Sequence, residues 1–151
     1  MRTAIVEPLT NIRHLIGRPA VCVVAGTTLS DAAQTMLDEH VSSLIVGPGD
    51  DRLVTERDLS RALAGGFGPD DPVDVVATYP FRVPAGTSVI DAAAIMLNHD
   101  IRHLVIDGWE GGPAVVSLRA VTAVLLQAMT PEPWLAITRV GIETGTEIWL
   151  G

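Results

Sequence analysis

The 151-residue sequence predicts an α+β fold of two pseudo-symmetric repeats, each strand, helix, strand, strand, helix, packed together and followed by a C-terminal extension. Three observations carry this expectation. Residues 25–46 (AGTTLSDAAQTMLDEHVSSLIV) align without a gap on residues 85–106 (AGTSVIDAAAIMLNHDIRHLVI), with nine identities in 22 positions at an offset of 60, which marks a duplication. Leu29, Ala32, Ala33, Met36 and Leu37 recur at helical spacing and match Val89, Ala92, Ala93, Met96 and Leu97. In each copy a β-rich run follows (VSSLIV or IRHLVI), then turn residues (GPGDD or DGWEGG) and a second apolar run (LVT or AVVS).

Each element has a local reason. Strands are expected near residues 20–24 and 81–83, preceded by short helical pieces around 11–16 and 73–77. Thr28 and Ser88 stand three residues before Asp31 and Asp91, so a hydroxyl and an acid can satisfy free helix-start amides reciprocally. The turn of the second copy is two residues longer, so Thr55 pairs with Ser117 and second helices follow at about 56–64 and 118–129. Gly65 and Gly66 suit a left-handed cap after the first of these. The division expected is a first repeat over 10–66, a linker FGPDDP over 67–72, a second repeat over 73–129 and an extension over 130–151. The extension holds two of the three tryptophans and reads as a β-hairpin. Units of about 60 residues bury too little surface to stand alone, so the repeats are expected to pack about a pseudo-two-fold axis, with a ligand-sized cleft between them.

Composition excludes several classes. With 18 acids against 10 Lys plus Arg, and no basic run, attraction to nucleic acid or an anionic membrane is opposed. No stretch approaches the roughly 20 apolar residues of a membrane span, and the N-terminus lacks the long apolar segment of a signal peptide, so a soluble cytoplasmic protein is expected. The single cysteine, Cys22, lies in the apolar run AVCVV and is expected to be buried and unreactive. No activating base stands beside a nucleophile, Gly47-Pro48-Gly49 is a turn rather than a phosphate loop, and no metal site is expected among His14, His40, His99 and His103. The sequence therefore reads as a non-enzyme.

The two copies differ chemically at one point. LVTERDL (53–59) carries Asp58 three residues after Thr55, whereas VVSLRAV (115–121) has Ala120 after Ser117. Asp58 has two readings that can both hold: a capping-box acid that starts a helix, or an acceptor for a polar ligand.

LVTERDL after a tight turn, and IRHLVID (101–107) after a small-residue helix, resemble the CBS-domain pair, named for the domain of cystathionine beta-synthase, over about residues 10–129. The family's usual Gly before the first stretch is Arg52 here, and its usual strand Pro is Ile45 or Val105. The resemblance implies a regulatory module that binds AMP, ADP, ATP or a related adenosyl compound such as S-adenosylmethionine between the repeats, without converting it, and no other cofactor. It implies a binding set of Thr55, Asp58, Thr78, Tyr79, Phe81, Arg82, Arg102 and His103. A carboxylate can accept from vicinal ribose hydroxyls, and a helix start favours phosphate. The second site would join Ser117 and Ala120 to residues 18–23, Ser42 and Ser43, with Ala120 in place of the acid and no cation at Ser42 and Ser43. A homodimer and an unidentified regulated protein are the partners implied. The alternative is a dimerisation or protein-interaction module whose clefts bind nothing.

Overall fold

A computed structural model describes residues 10–49 and 51–129. The hairpin expected over 130–151 lies outside the described residues. The described chain forms two compact units, residues 20–80 and residues 10–19 with 81–129.

In the first unit, β1 (Cys22–Val24) pairs in parallel with β2 (Ser43–Gly47), and β2 pairs antiparallel with β3 (Arg52–Thr55). A helix, α1 (Leu29–Glu39), makes the crossover that a parallel pair requires, and α2 (Glu56–Ala64) follows β3 directly. The second unit repeats the order with β4 (Arg82–Pro84), α3 (Val89–Asn98), β5 (His103–Asp107), β6 (Ala114–Ser117) and α4 (Leu118–Met129). The registers correspond as well: Cys22 lies opposite Ile45 and Arg82 opposite Val105, while Ser43 faces Thr55 and His103 faces Ser117. The α+β expectation holds. No described helix is long and apolar enough to cross a membrane.

The units do not follow the repeats as counted along the sequence. A 3-10 turn at Ile12–Leu15 joins the core of the unit that contains Val83, Val89, Met96 and Leu104, and Ile12 is fully buried there. Its backbone is tied in by the Ile12 N–H to Thr87 carbonyl bond at 2.7 Å and the Val89 N–H to Thr10 carbonyl bond at 2.9 Å. The matching 3-10 turn, Val73–Val75, inserts a fully buried Val73 among Leu29, Met36, Leu44 and Val54. There the Val73 N–H reaches the Thr27 carbonyl at 2.7 Å and the Leu29 N–H reaches the Asp71 carbonyl at 2.9 Å. Each plug contributes about 1.5–3 kcal/mol by burial alone.

Four local expectations change. At α1 and α3 the hydroxyl half of the start signal forms, Thr28 and Ser88 each accepting from the acid's N–H at 3.1 Å, while the full reciprocal box is found at α2. Leu37 and Leu97, which belong by spacing to the apolar stripe of each helix, are 70% and 68% exposed. At 100° per residue Leu37 is rotated about 80° from Leu29, while Met36 stays within about 20° of it, so the stripe toward the core ends before Leu37. Cys22 is exposed, because a three-residue strand alternates and Val23, not Cys22, is turned toward the core. Its thiol is still pushed up in pKa, first by partial desolvation and then by the Asp51 charge. After α2 it is Gly66, at φ +88°, that takes the left-handed conformation, and Gly65 stays at φ −81°.

Candidate functional site

The antiparallel pairing of β2 with β3 delivers Thr55 to the point where strand becomes helix, and Thr55 is the N-cap of α2. Asp58 sits one turn in and is only 5% exposed. Its Oδ2 accepts from the Thr55 backbone N–H at 2.9 Å and from the Thr55 hydroxyl at 3.0 Å, while the Asp58 N–H donates to Thr55 Oγ1 at 3.3 Å. Its Oδ1 has one longer partner, the Arg61 guanidinium at 3.4 Å. The capping reading of Asp58 is therefore realised, and it uses chiefly one of the two oxygens. An ionised carboxylate has about four acceptor positions, so Oδ1 keeps capacity for further donors.

Thr78 is brought beside this strand. Its backbone exchanges two hydrogen bonds with Leu53, at 2.7 and 2.9 Å, forming an isolated antiparallel bridge two residues before Thr55. Thr78 and the following Tyr79 are both exposed, Tyr79 by 68%. Thr55, Asp58, Thr78 and Tyr79 therefore belong to the unit 20–80.

Phe81, Arg82, Arg102 and His103 belong to the other unit. The Phe81 carbonyl accepts from Val105 N–H at 2.9 Å, and β4 and β5 run parallel, so Phe81 and the residues that open β5 lie at one end of that sheet. The Phe81 ring meets the His99 imidazole at a centroid distance of 4.4 Å and 36°. Arg102 is exposed, and its carbonyl receives the Leu118 N–H at 2.7 Å; His103 is half-buried. Arg82 is exposed, but its guanidinium forks onto Asp107, with Nη2 to Oδ1 at 3.0 Å. A phosphate would have to compete with that carboxylate. His99 and His103 have the four-residue spacing of a helical metal pair, yet α3 ends at Asn98 and His103 opens β5, so no helix presents them together.

The equivalent helix start in the second copy keeps the hydroxyl alone. Ser117 Oγ accepts from the Ala120 N–H at 3.1 Å, and no carboxylate follows. The backbone approach is otherwise the same, since Glu56 N–H bonds the Ser42 carbonyl at 3.0 Å just as Leu118 bonds Arg102.

Sequence reading missed two residues beside the site, Arg52 and Asp74. Asp74 Oδ1 accepts from Arg52 Nη2 at 2.9 Å and its Oδ2 from the Gly26 N–H at 2.7 Å. The Gly26 bond first, and the Arg52 charge after it, hold the Asp74 carboxyl below the usual range. The only visible signal was Arg52 itself, a large cation where the resemblance leads one to expect glycine.

Comparison with known proteins agrees with the fold described above. The chain is 32% identical over 126 residues to an uncharacterised 17.7 kDa protein of Acidianus ambivalens, covering 80% of this chain and 76% of that one. Its fold matches a CBS domain protein from Pyrobaculum aerophilum complexed with AMP, at TM-score 0.63 and 24% identity, over 86% of this chain and 98% of that one. It also matches the CBS domain pair of protein MJ0100 in complex with 5′-methylthioadenosine and S-adenosyl-L-methionine, at TM-score 0.69 and 16% identity, over 82% of this chain and all of that one. The CBS domain pattern fits residues 12–65 and 73–112, more than half of the sequence, and the chain belongs to the CBS domain family.

Proposed function

We propose that the chain is a regulatory ligand-sensing module that binds an adenine nucleotide (AMP, ADP or ATP) or a related adenosyl compound and does not transform it. The observation that carries this reading is the asymmetry of the two helix starts: a buried carboxylate with acceptor capacity on Oδ1 at Asp58, and a methyl group at Ala120. In this reading Asp58 receives ribose hydroxyls beside Thr55, while Thr78, Tyr79 and Phe81 contact the base. Arg102 and His103 serve the phosphate side, with Arg82 if it leaves Asp107. The adenosyl ligands of the two structural relatives support the ligand class. Binding transmits a signal only if the ligand prefers one conformation of the protein, so a regulated partner is part of the proposal.

Calorimetric titration of the whole chain with AMP, ADP, ATP and S-adenosylmethionine tests this, repeated on Asp58→Ala. Saturable binding to the wild type that is lost in Asp58→Ala is expected. Silence toward all four sinks the reading.

One observation supports self-association. Leu37 and Leu97 occupy the same helical position in the two copies, and both are exposed. A homodimer through such side chains is compatible with either reading. Sedimentation velocity on Leu37→Glu and Leu97→Glu tests it, with loss of a dimer expected.

A further inference from the structure

Asp74 ties three segments of the unit 20–80 together: its own 3-10 turn, the turn after β1 through the Gly26 N–H at 2.7 Å, and the start of β3 through Arg52 at 2.9 Å. Four residues later the chain reaches Thr78, whose backbone is bonded to Leu53, the neighbour of Arg52 on β3. Both ends of this short connection are thus fastened to the strand that carries Thr55.

The arrangement exists in one copy only. The backbone bonds of the two 3-10 turns correspond at an offset of 61, Ile12 to Thr87 matching Val73 to Thr27, so Arg13 stands where Asp74 does. At the offset of 62 that relates β3 to β6, Ala114 stands where Arg52 does. The copy with the Arg52–Asp74 pair is therefore the copy that kept Asp58. Arg52 also carries a cost, because its Nε is buried and has no partner. A buried donor left unsatisfied calls for an explanation beyond filling space.

We infer that Arg52, Asp74 and the Gly26 N–H form a latch that fixes the Thr78–Tyr79 segment against β3 before any ligand arrives. Its effect on affinity rests on the function proposed above. A segment held in its binding position in every molecule spares the ligand the loss of affinity that follows when only a fraction of molecules is competent. Arg52 and Asp74 are positioning residues in this scheme: they act through Thr78 and do not themselves touch the ligand.

The test uses the full chain with Arg52→Ala, Asp74→Ala and Arg52→Lys, read by amide hydrogen exchange at Leu53 and Thr78 and by calorimetry with AMP. Either alanine variant is expected to speed exchange at Leu53 and Thr78 about tenfold, leaving the amides of Leu44 and Val46 unchanged, because only a local opening is made easier. AMP affinity is expected to fall about fivefold in each, and no further in the double variant, since one latch is broken either way. Arg52→Lys keeps the cation and is expected to keep most of the protection. Unchanged exchange at Thr78 overturns the latch, as does a uniform rise throughout residues 20–80, which marks general destabilisation. Faster exchange with unaltered AMP affinity overturns the positioning role. If the wild type binds no adenosyl ligand, the function proposed above falls, and the latch stands or falls on the exchange data alone.

Discussion

The Asp58 carboxylate and the Thr55 N-cap satisfy each other in both directions, the acid taking the backbone N–H at 2.9 Å while its own N–H reaches the Thr55 hydroxyl at 3.3 Å. Removing the acid therefore touches stability as well as binding. Asp58→Ala is expected to cost about 1 kcal/mol, the usual size of a lost helix cap, measured by urea unfolding. Asp58→Asn keeps an acceptor for the Thr55 N–H and is expected to cost less. If ribose binding depends on the charged oxygens, Asn loses affinity out of proportion to its stability change.

The buried Ile12 makes a regional prediction. Ile12→Ala is expected to destabilise by about 3 kcal/mol, within the range for an aliphatic residue cut to alanine in a packed core. Native-state exchange should place the loss in strands β4 to β6 and helices α3 and α4, not in the sheet β1 to β3. Val73→Ala should show the reverse distribution.

At the tip between β5 and β6, a Cβ added at Gly111 would overlap the Trp109 ring, which packs against the core of its unit. Gly111→Ala is expected to turn the indole outward and cost about 1–3 kcal/mol. A red shift in emission, absent when Trp109 has first been replaced by Phe, checks it.

The lowered Asp74 carboxyl pKa fixes the sign of an acid effect. Its unfolded value is about 3.9, and the folded value lies lower, so the group stabilises the protein fully above the unfolded value. That contribution is lost as pH falls from about 4 through the folded value. Urea midpoints taken from pH 5 downward are expected to drop more steeply in the wild type than in Asp74→Asn.

Cys22 is exposed but has a raised thiol pKa, so access does not limit its reactivity and ionisation does. Alkylation with iodoacetamide is expected to be slower at pH 7 than for a small free thiol. It should accelerate with pH beyond the point where the small thiol levels off. Asp51→Asn should shift the profile slightly toward lower pH.

The duplication and the second helices were legible in the sequence because their signals are local: Thr55 with Asp58 at one end of α2 and glycine at the other leave little freedom in Glu56–Ala64. Leu37 and Cys22 misled for different reasons. Leu37 lies about 80° from Leu29 around the helix, at the edge of the stripe and beyond its buried part, whereas an all-apolar run such as AVCVV carries no record of which way Cys22 faces, and the packing decides. The Arg52–Asp74 pair was invisible for another reason, since it joins residues 22 positions apart with no spacing rule between them. The candidate site was legible as chemistry, an acid in one copy and a methyl in the other. The engagement of Arg82 with Asp107 was not, because it depends on the register of β4 against β5.

The plugs at Ile12 and Val73 bear on how the molecule can be divided. Scissors guided by the repeat would cut after residue 66 and hand back a first fragment stripped of Val73. Cutting at 20 and 80 instead keeps that side chain with its socket. The complementary piece has its Ile12 stopper on a separate stretch of chain, so it needs residues 10–19 grafted back on. A tandem gene whose products share parts in this way resists being split at the seam where it was copied.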